Sequence, residues 1–123
     1  MKEVELEYLI KTSPKILYTK ISTAAGLEEW FAEKVFIKDN IITFYWDKSP
    51  TTARIEKPSS NSLRFYWTES ETNSFFELKI EELELINNDL ALIITDCVEW
   101  SESETKDSWD VKIDKLKLVL GDR

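Results

Sequence analysis

The closing stretch, residues 101–121, constrains the fold more than any other part of the chain. It follows a long train of strand-like segments, yet it reads as one amphipathic helix. Trp109, Ile113, Leu116 and Leu120 recur at spacings of four, three and four, which places them on one stripe. Ser101, Ser103 and Thr105 can cap its start, and Gly121 supplies a stop. A lone closing helix with a large aromatic on its apolar stripe must bury that stripe, and only the preceding strands can cover it. The expected fold therefore holds something between helix and sheet.

The rest of the chain supplies that sheet. From Glu3 to Lys11 the pattern alternates, with Val4, Leu6, Tyr8 and Ile10 on one face and Glu3, Glu5 and Glu7 on the other. That is a half-buried strand with one wet face. Ser13-Pro14 then reads as an N-cap and first-turn proline, starting a helix at Pro14 with Ile16, Leu17, Tyr18 and Ile21 on its apolar side. Ser22-Thr23 restarts a second short helix through Leu27, Trp30 and Phe31, with Gly26 as its weak point.

From Lys34 the period changes to two. Strands are expected at 34–38, 41–46, 51–57, 62–68, 73–85 and 90–98. Their links carry turn residues: Asp39-Asn40, Asp47-Lys48-Ser49-Pro50, Pro58-Ser59-Ser60-Asn61, Glu69 to Thr72, and Asn87-Asn88-Asp89. Links this short demand antiparallel neighbours, hence a meander. The apolar phase flips from Phe76, Leu78 and Ile80 to Leu83 and Leu85, which predicts a bulge near Glu81-Glu82 and a bent sheet. The expected class is α+β: a curved antiparallel sheet of about seven strands, two short helices after the first, and a long helix at the end.

Composition narrows the function classes. A chain of 123 residues makes one domain, expected over 1–123. The net charge of −8 argues against nucleic acid and against an anionic membrane surface, both of which need a basic footprint. The longest apolar run, Leu90 to Ile94, is far too short to span a bilayer, and the first residues are no signal peptide. Cys97 is the single cysteine and cannot form an internal disulfide, so the expectation is a soluble, cytoplasmic protein.

The element order resembles the helix-grip fold of the START-like superfamily, which includes lipid-transfer START domains, birch-pollen-allergen-like proteins, polyketide cyclases and homologues of the heat-shock chaperone ATPase activator. The resemblance runs over essentially the whole chain and is nearest to small, stand-alone bacterial START-like proteins beside the activator branch. It is carried by Ser13-Pro14-Lys15-Ile16-Leu17-Tyr18, Gly26-Leu27-Glu28-Glu29-Trp30-Phe31, Phe44-Tyr45-Trp46-Asp47, Arg64-Phe65-Tyr66-Trp67 and the closing Trp109, Ile113, Leu116, Leu120 and Gly121. It implies a cavity between a curved sheet and the last helix, partly roofed by the short helices. In relatives that cavity takes lipids, sterols, hormones or polyketides, whereas the activators use the fold to contact a protein. Those activators carry a second domain that this sequence lacks.

The candidate ligand-binding residues are Tyr8, Trp30, Phe44, Trp46, Phe65, Trp67, Phe76, Asp96, Trp109 and Ile113. With Phe31, the aromatic members fall on the faces assigned to the helix side. Two readings of these rings stand side by side, the lining of an open pocket and a filled core. Asp96 follows Leu92 and Ile94 in phase and should point inward. There it could anchor a ligand or serve as an acid/base group; structurally, it would pair with Arg54 or Tyr8 or sit at the rim. On the opposite face Tyr45, Tyr66 and Arg64 read as cross-strand bracing or as a self-association surface.

The absence of histidine removes Ser/His and Cys/His pairs and the ordinary zinc sites. The acidic groups Glu81-Glu82-Glu84 and Glu99, Glu102 and Glu104 lack calcium-loop spacing and read as solvated faces. Cys97 beside Asp96 reads as structural. No catalytic set, metal or cofactor is expected. The leading reading is binding of an apolar or lipid-like small molecule under the last helix. The alternatives are a protein-interaction module or homodimer, and a cyclase-like enzyme using Asp96 and a tyrosine.

Overall fold

In a computed structural model, which describes residues 2–83, 89–98 and 101–121, the alternation of the first segment becomes strand β1, Lys2–Lys11. Val4 and Ile10 are buried on its inner face, while Glu3, Glu5 and Glu7 are exposed. Helix α1, Pro14–Ser22, begins where its cap demands, with the Ser13 hydroxyl accepting from the Ile16 N–H at 3.2 Å. Helix α2, Ala24–Glu28, is capped by Thr23, whose hydroxyl accepts from Gly26 N–H.

Two expectations fail at this elbow. The second helix stops at Glu28, so Trp30 and Phe31 lie in the turn beyond it. There the Phe31 and Ala32 N–H groups both reach back to the Leu27 carbonyl. Gly26 is not a weak point either. A Cβ there would lie 2.3 Å from the Thr19 carbonyl oxygen and 2.7 Å from Lys20 Cα, so glycine is what lets α2 fold against α1.

The remaining strands are β2 (Lys34–Lys38), β3 (Ile41–Trp46), β4 (Ser49–Ser59), β5 (Ser62–Trp67), β6 (Phe75–Glu82) and β7 (Asp89–Val98), followed by α3 (Glu102–Val119). They form one antiparallel seven-stranded sheet in the order β1-β7-β6-β5-β4-β3-β2, a meander whose last strand pairs with the first. The β3–β4 link is tighter than expected. Trp46 pairs with Ser49, leaving Asp47 and Lys48 as a two-residue turn with both φ positive, the geometry that matches sheet twist. Asn73 also has a positive φ, so β6 begins at Phe75 rather than residue 73.

No bulge interrupts β6 near Glu81-Glu82. Its register with β7 runs unbroken from Phe76 opposite Asp96 to Glu82 opposite Leu90. The apolar phase changes because the strand ends at Glu82; Leu83 follows it, and Leu85 lies outside the described residues. The irregularity sits instead between Glu56 and Ser59, where β4 shifts against β5 around Pro58.

Helix α3 closes the inner face. Ser101 caps it by accepting from Glu104 N–H at 3.2 Å, and Gly121 follows its end with φ 79°. Trp109, Ile113 and Leu116 are buried and Leu120 is half-buried against the same core. No helix among the described residues is long and apolar enough to cross a membrane.

Candidate functional site

The register places the site at one end of the sheet. Val4, Asp96, Phe76 and Phe65 stand side by side on four neighbouring strands, with their inward faces toward the first half of α3. Trp67 and Trp46 continue that inner face to the ends of β5 and β3.

The middle of this wall is core. Phe44, Phe65 and Phe76 are fully buried, and Phe65 stacks on Phe76 at 4.6 Å between ring centroids, 13° from parallel. Phe31, delivered by the turn after α2, fills the space below the helix. It lies 4.8 Å from Phe44, 5.1 Å from Phe76 and 5.7 Å from Trp109. Ile113, one turn further along α3, is buried as well. Much of what the helix grips is therefore this set of rings.

Beside it two indoles are only partly covered. Trp46 and Trp67 are only half-buried, 6.5 Å apart, and both abut Phe44. The Trp46 indole N–H is anchored to the Phe31 carbonyl at 2.9 Å, which orients the ring. Trp30 is buried but turned away, donating its indole N–H to the Lys20 carbonyl and meeting Phe31 edge-on.

Asp96 points inward as its phase demands, but its partner is neither Arg54 nor Tyr8. The Trp109 indole N–H donates to Asp96 Oδ2 at 2.8 Å. Arg54 instead reaches Glu56, and Tyr8 donates to Asp110 Oδ1 on α3 at 2.7 Å, where Lys106 holds the other oxygen. Burial pushes the Asp96 carboxyl above the usual carboxylate range, against the opposing pull of the Trp109 donor, the Cys97 N–H and the charge of Lys112. Tyr8 is raised above the usual phenol range, first by burial and then by its bond to Asp110. With Tyr8 bonded to Asp110, it forms no acid/base pair with Asp96.

Lys112 is the group that sequence reasoning missed. It sits three residues after Trp109, half-buried, with Nζ 5.7 Å from the Trp109 ring and 5.8 Å from Phe31. Its hydrogen bond goes to Ser108 Oγ at 3.1 Å, and burial lowers its pKa despite the nearby Asp96 charge. Among the described residues no ion pair joins Lys112 to Asp96. The site thus sets a carboxylate and an ammonium on β7 and α3, both beside Trp109, with no ion pair between them among the described residues. The only advance signal was the i,i+3 spacing from Trp109, which puts Lys112 beside the buried stripe.

On the outer face Arg64 bonds Glu77, meets the Tyr66 hydroxyl at 3.1 Å and lies over the Phe75 ring at 4.6 Å. Tyr66 and Arg64 brace neighbouring strands there, while Tyr45 packs edge-on against Phe36.

A model of the START-like superfamily domain matches residues 1–122. The chain belongs to the START-like superfamily. Among curated proteins, none matches it. Among solved structures, a Bacteroides fragilis protein determined by NMR is 37% identical, with 97% of this chain and 90% of that one covered and a TM-score of 0.66. The Aha1 dimer of Colwellia psychrerythraea is 16% identical, over 98% of this chain and 93% of that one, with a TM-score of 0.73. CalU16 of Micromonospora echinospora is also 16% identical, over 98% and 76%, with a TM-score of 0.71. At that identity the last two share the fold, and this START-like chain shares with them the sheet and closing helix described above.

Proposed function

We propose that this START-like domain binds a small amphipathic molecule at the open end of the grip. Its apolar body lies against the free faces of Trp46 and Trp67, and one polar group sits between Asp96 and Lys112. Phe44, Phe65, Phe76 and Ile113 form the floor, Trp109 a wall, and Tyr8 and Trp30 hold the frame from outside.

The observation that carries this reading is the separated pair. Burying a carboxylate and an ammonium costs free energy that direct contact would partly return. Here each is half-buried without touching the other, so a group that bridges them recovers what the fold gives up. A neutral hydroxyl or amide suits the gap, since it donates to Asp96 and accepts from Lys112. Among the described residues Tyr8 is bonded to Asp110 and no tyrosine bonds Asp96, which favours binding over turnover.

Native mass spectrometry of the protein purified from its own cells tests this. The expected result is an added small-molecule mass that organic solvent releases and that a Trp46→Ala, Trp67→Ala double variant loses while remaining folded. Protein at its bare mass, in wild type and variant alike, would count against a retained ligand. A second reading, a protein-contacting module, is favoured by one separate feature, the β2 edge, which has no strand neighbour on one side among the described residues.

A further inference from the structure

Strand β2 ends the sheet order, so among the described residues one side of its backbone has no strand neighbour, while α2 packs near it. Lys34, Phe36 and Lys38 alternate onto its outer face. Phe36 is 58% exposed, with the Tyr45 ring beside it, edge-on at 5.8 Å. Two grooves flank it. One, of about 540 Å³, is lined by Glu33, Lys34, Phe36, Tyr45 and Lys48. The other, of about 660 Å³, runs from Phe36 around the turn to Ile41 and Thr43.

The outer face of this strand carries two lysines and no acidic side chain, in a chain that is acidic overall. The chain carries −8 overall, and Lys2, Lys20, Lys106, Arg54 and Arg64 each make an ion pair. Lys34, Lys38 and Lys48, like most lysines of the chain, make none among the described residues, so their charges are available to a partner. In the first groove the one carboxylate, Glu33, is turned to the Asp47 N–H at 3.0 Å. In the second, Asp39 sits on the turn beyond Lys38. Lysines alone would serve to discourage edge pairing. An exposed phenylalanine between them does the opposite.

We propose that the β2 edge docks an extended segment of a partner protein with an acidic-x-apolar-x-acidic pattern. A strand added there presents residues i, i+2 and i+4 on one face, opposite Lys34, Phe36 and Lys38. The two lysines lie about 13 Å apart along the strand, four residues at ~3.3 Å each, which matches the spacing of the two acids. Their charge supplies selection, and Phe36 with Tyr45 supplies the apolar contact. A second copy of this chain fits less well. Antiparallel β2–β2 pairing sets Lys34 against the other Lys38, and the opposite edge, β1, offers either Glu5 where an apolar residue belongs or, with Leu9 there, Lys11 facing a lysine.

The test uses the intact chain and a fluorescein-labelled peptide with the core Glu-Thr-Leu-Thr-Glu, against Lys-Thr-Leu-Thr-Lys as control. Saturable binding of the acidic peptide is expected, weakening as salt rises and with amide NMR shifts concentrated on residues 34–38. A Lys34→Glu, Lys38→Glu variant should lose about tenfold or more in affinity, equivalent to about 1.4 kcal/mol or more. Phe36→Ala should also weaken it. The wild-type shift map keeps the test decisive if a variant misfolds. The proposal is overturned by no binding at millimolar peptide, by equal binding of the basic peptide, or by shifts mapping elsewhere. Self-association abolished by Phe36→Ala, or binding only to phosphatidylglycerol vesicles, would overturn it equally.

Discussion

Replacing Trp109 with phenylalanine separates the two jobs that side chain performs. The ring is nearly buried, in contact with Phe31 and Phe76, and its indole N–H is the side-chain donor to Asp96. Phenylalanine keeps an aromatic ring in the gap and removes the donor. A hydrogen bond to a charged group contributes about 1.5–3 kcal/mol, so Trp109→Phe should destabilise by about 2 kcal/mol at neutral pH, plus a smaller packing loss. Trp109→Ala adds a cavity and should cost about 5 kcal/mol, enough to unfold a domain of ordinary stability.

The sign with pH follows from the carboxyl. The Trp109 donor pulls the Asp96 pKa down against burial, so its loss raises that pKa further. The Trp109→Phe penalty is therefore largest when wild-type Asp96 is ionised, and it shrinks as pH falls through its raised pKa. Urea unfolding of both proteins over an acidic-to-neutral pH series measures it. A penalty under about 0.5 kcal/mol at neutral pH, or one that ignores pH, would refute the argument.

Asp96→Asn should raise stability at neutral pH and flatten its pH dependence. With the folded pKa raised, wild-type stability falls as pH climbs from the unfolded carboxylate value through the folded one; urea midpoints across that range check it. Tyr8→Phe loses the bond to Asp110 and should cost about 1–2 kcal/mol by the same assay. Wild-type stability should also fall above about pH 10, where the unfolded phenol ionises before the folded one, and fall less in the variant. Gly26→Ala should destabilise by about 1–3 kcal/mol although alanine favours helix, because the elbow between α1 and α2 must open. A neutral or stabilising result in thermal unfolding would contradict the close approach.

The elements that local pattern specifies were legible in the sequence. Strands β2 and β3 have the expected bounds, α1 starts at Pro14, and the stripe of α3 is the buried one. The misses came where the chain leaves regular structure. The switch of apolar phase after Ile80 looks the same whether a strand bulges or stops, and the structure stops it at Glu82. The run from Thr23 to Phe31 has helical spacing throughout, but the return of the Phe31 and Ala32 N–H groups to Leu27 turns the chain out of helix and into the core.

At the site, the inward phase of Asp96 could be read from its strand, because alternation fixes the face. Its partner could not, since how α3 packs back over β7 is set by tertiary contacts and not by local pattern. Little in the sequence marks Lys112, because its burial arises from packing beside Phe31 and Trp109, a tertiary effect that composition does not carry.

The central claim is that the gap between Asp96 and Lys112 takes a neutral polar group with an apolar body beside it. The most direct measurement follows the Trp109 indole N–H and the Lys112 side-chain signals by NMR while 2-naphthalenemethanol is added, with 2-methylnaphthalene as the partner lacking the hydroxyl. The account predicts that the alcohol shifts both signals and binds about tenfold or more tightly than the hydrocarbon. Equal binding of the two compounds, or no movement of either signal at saturating probe, would contradict it.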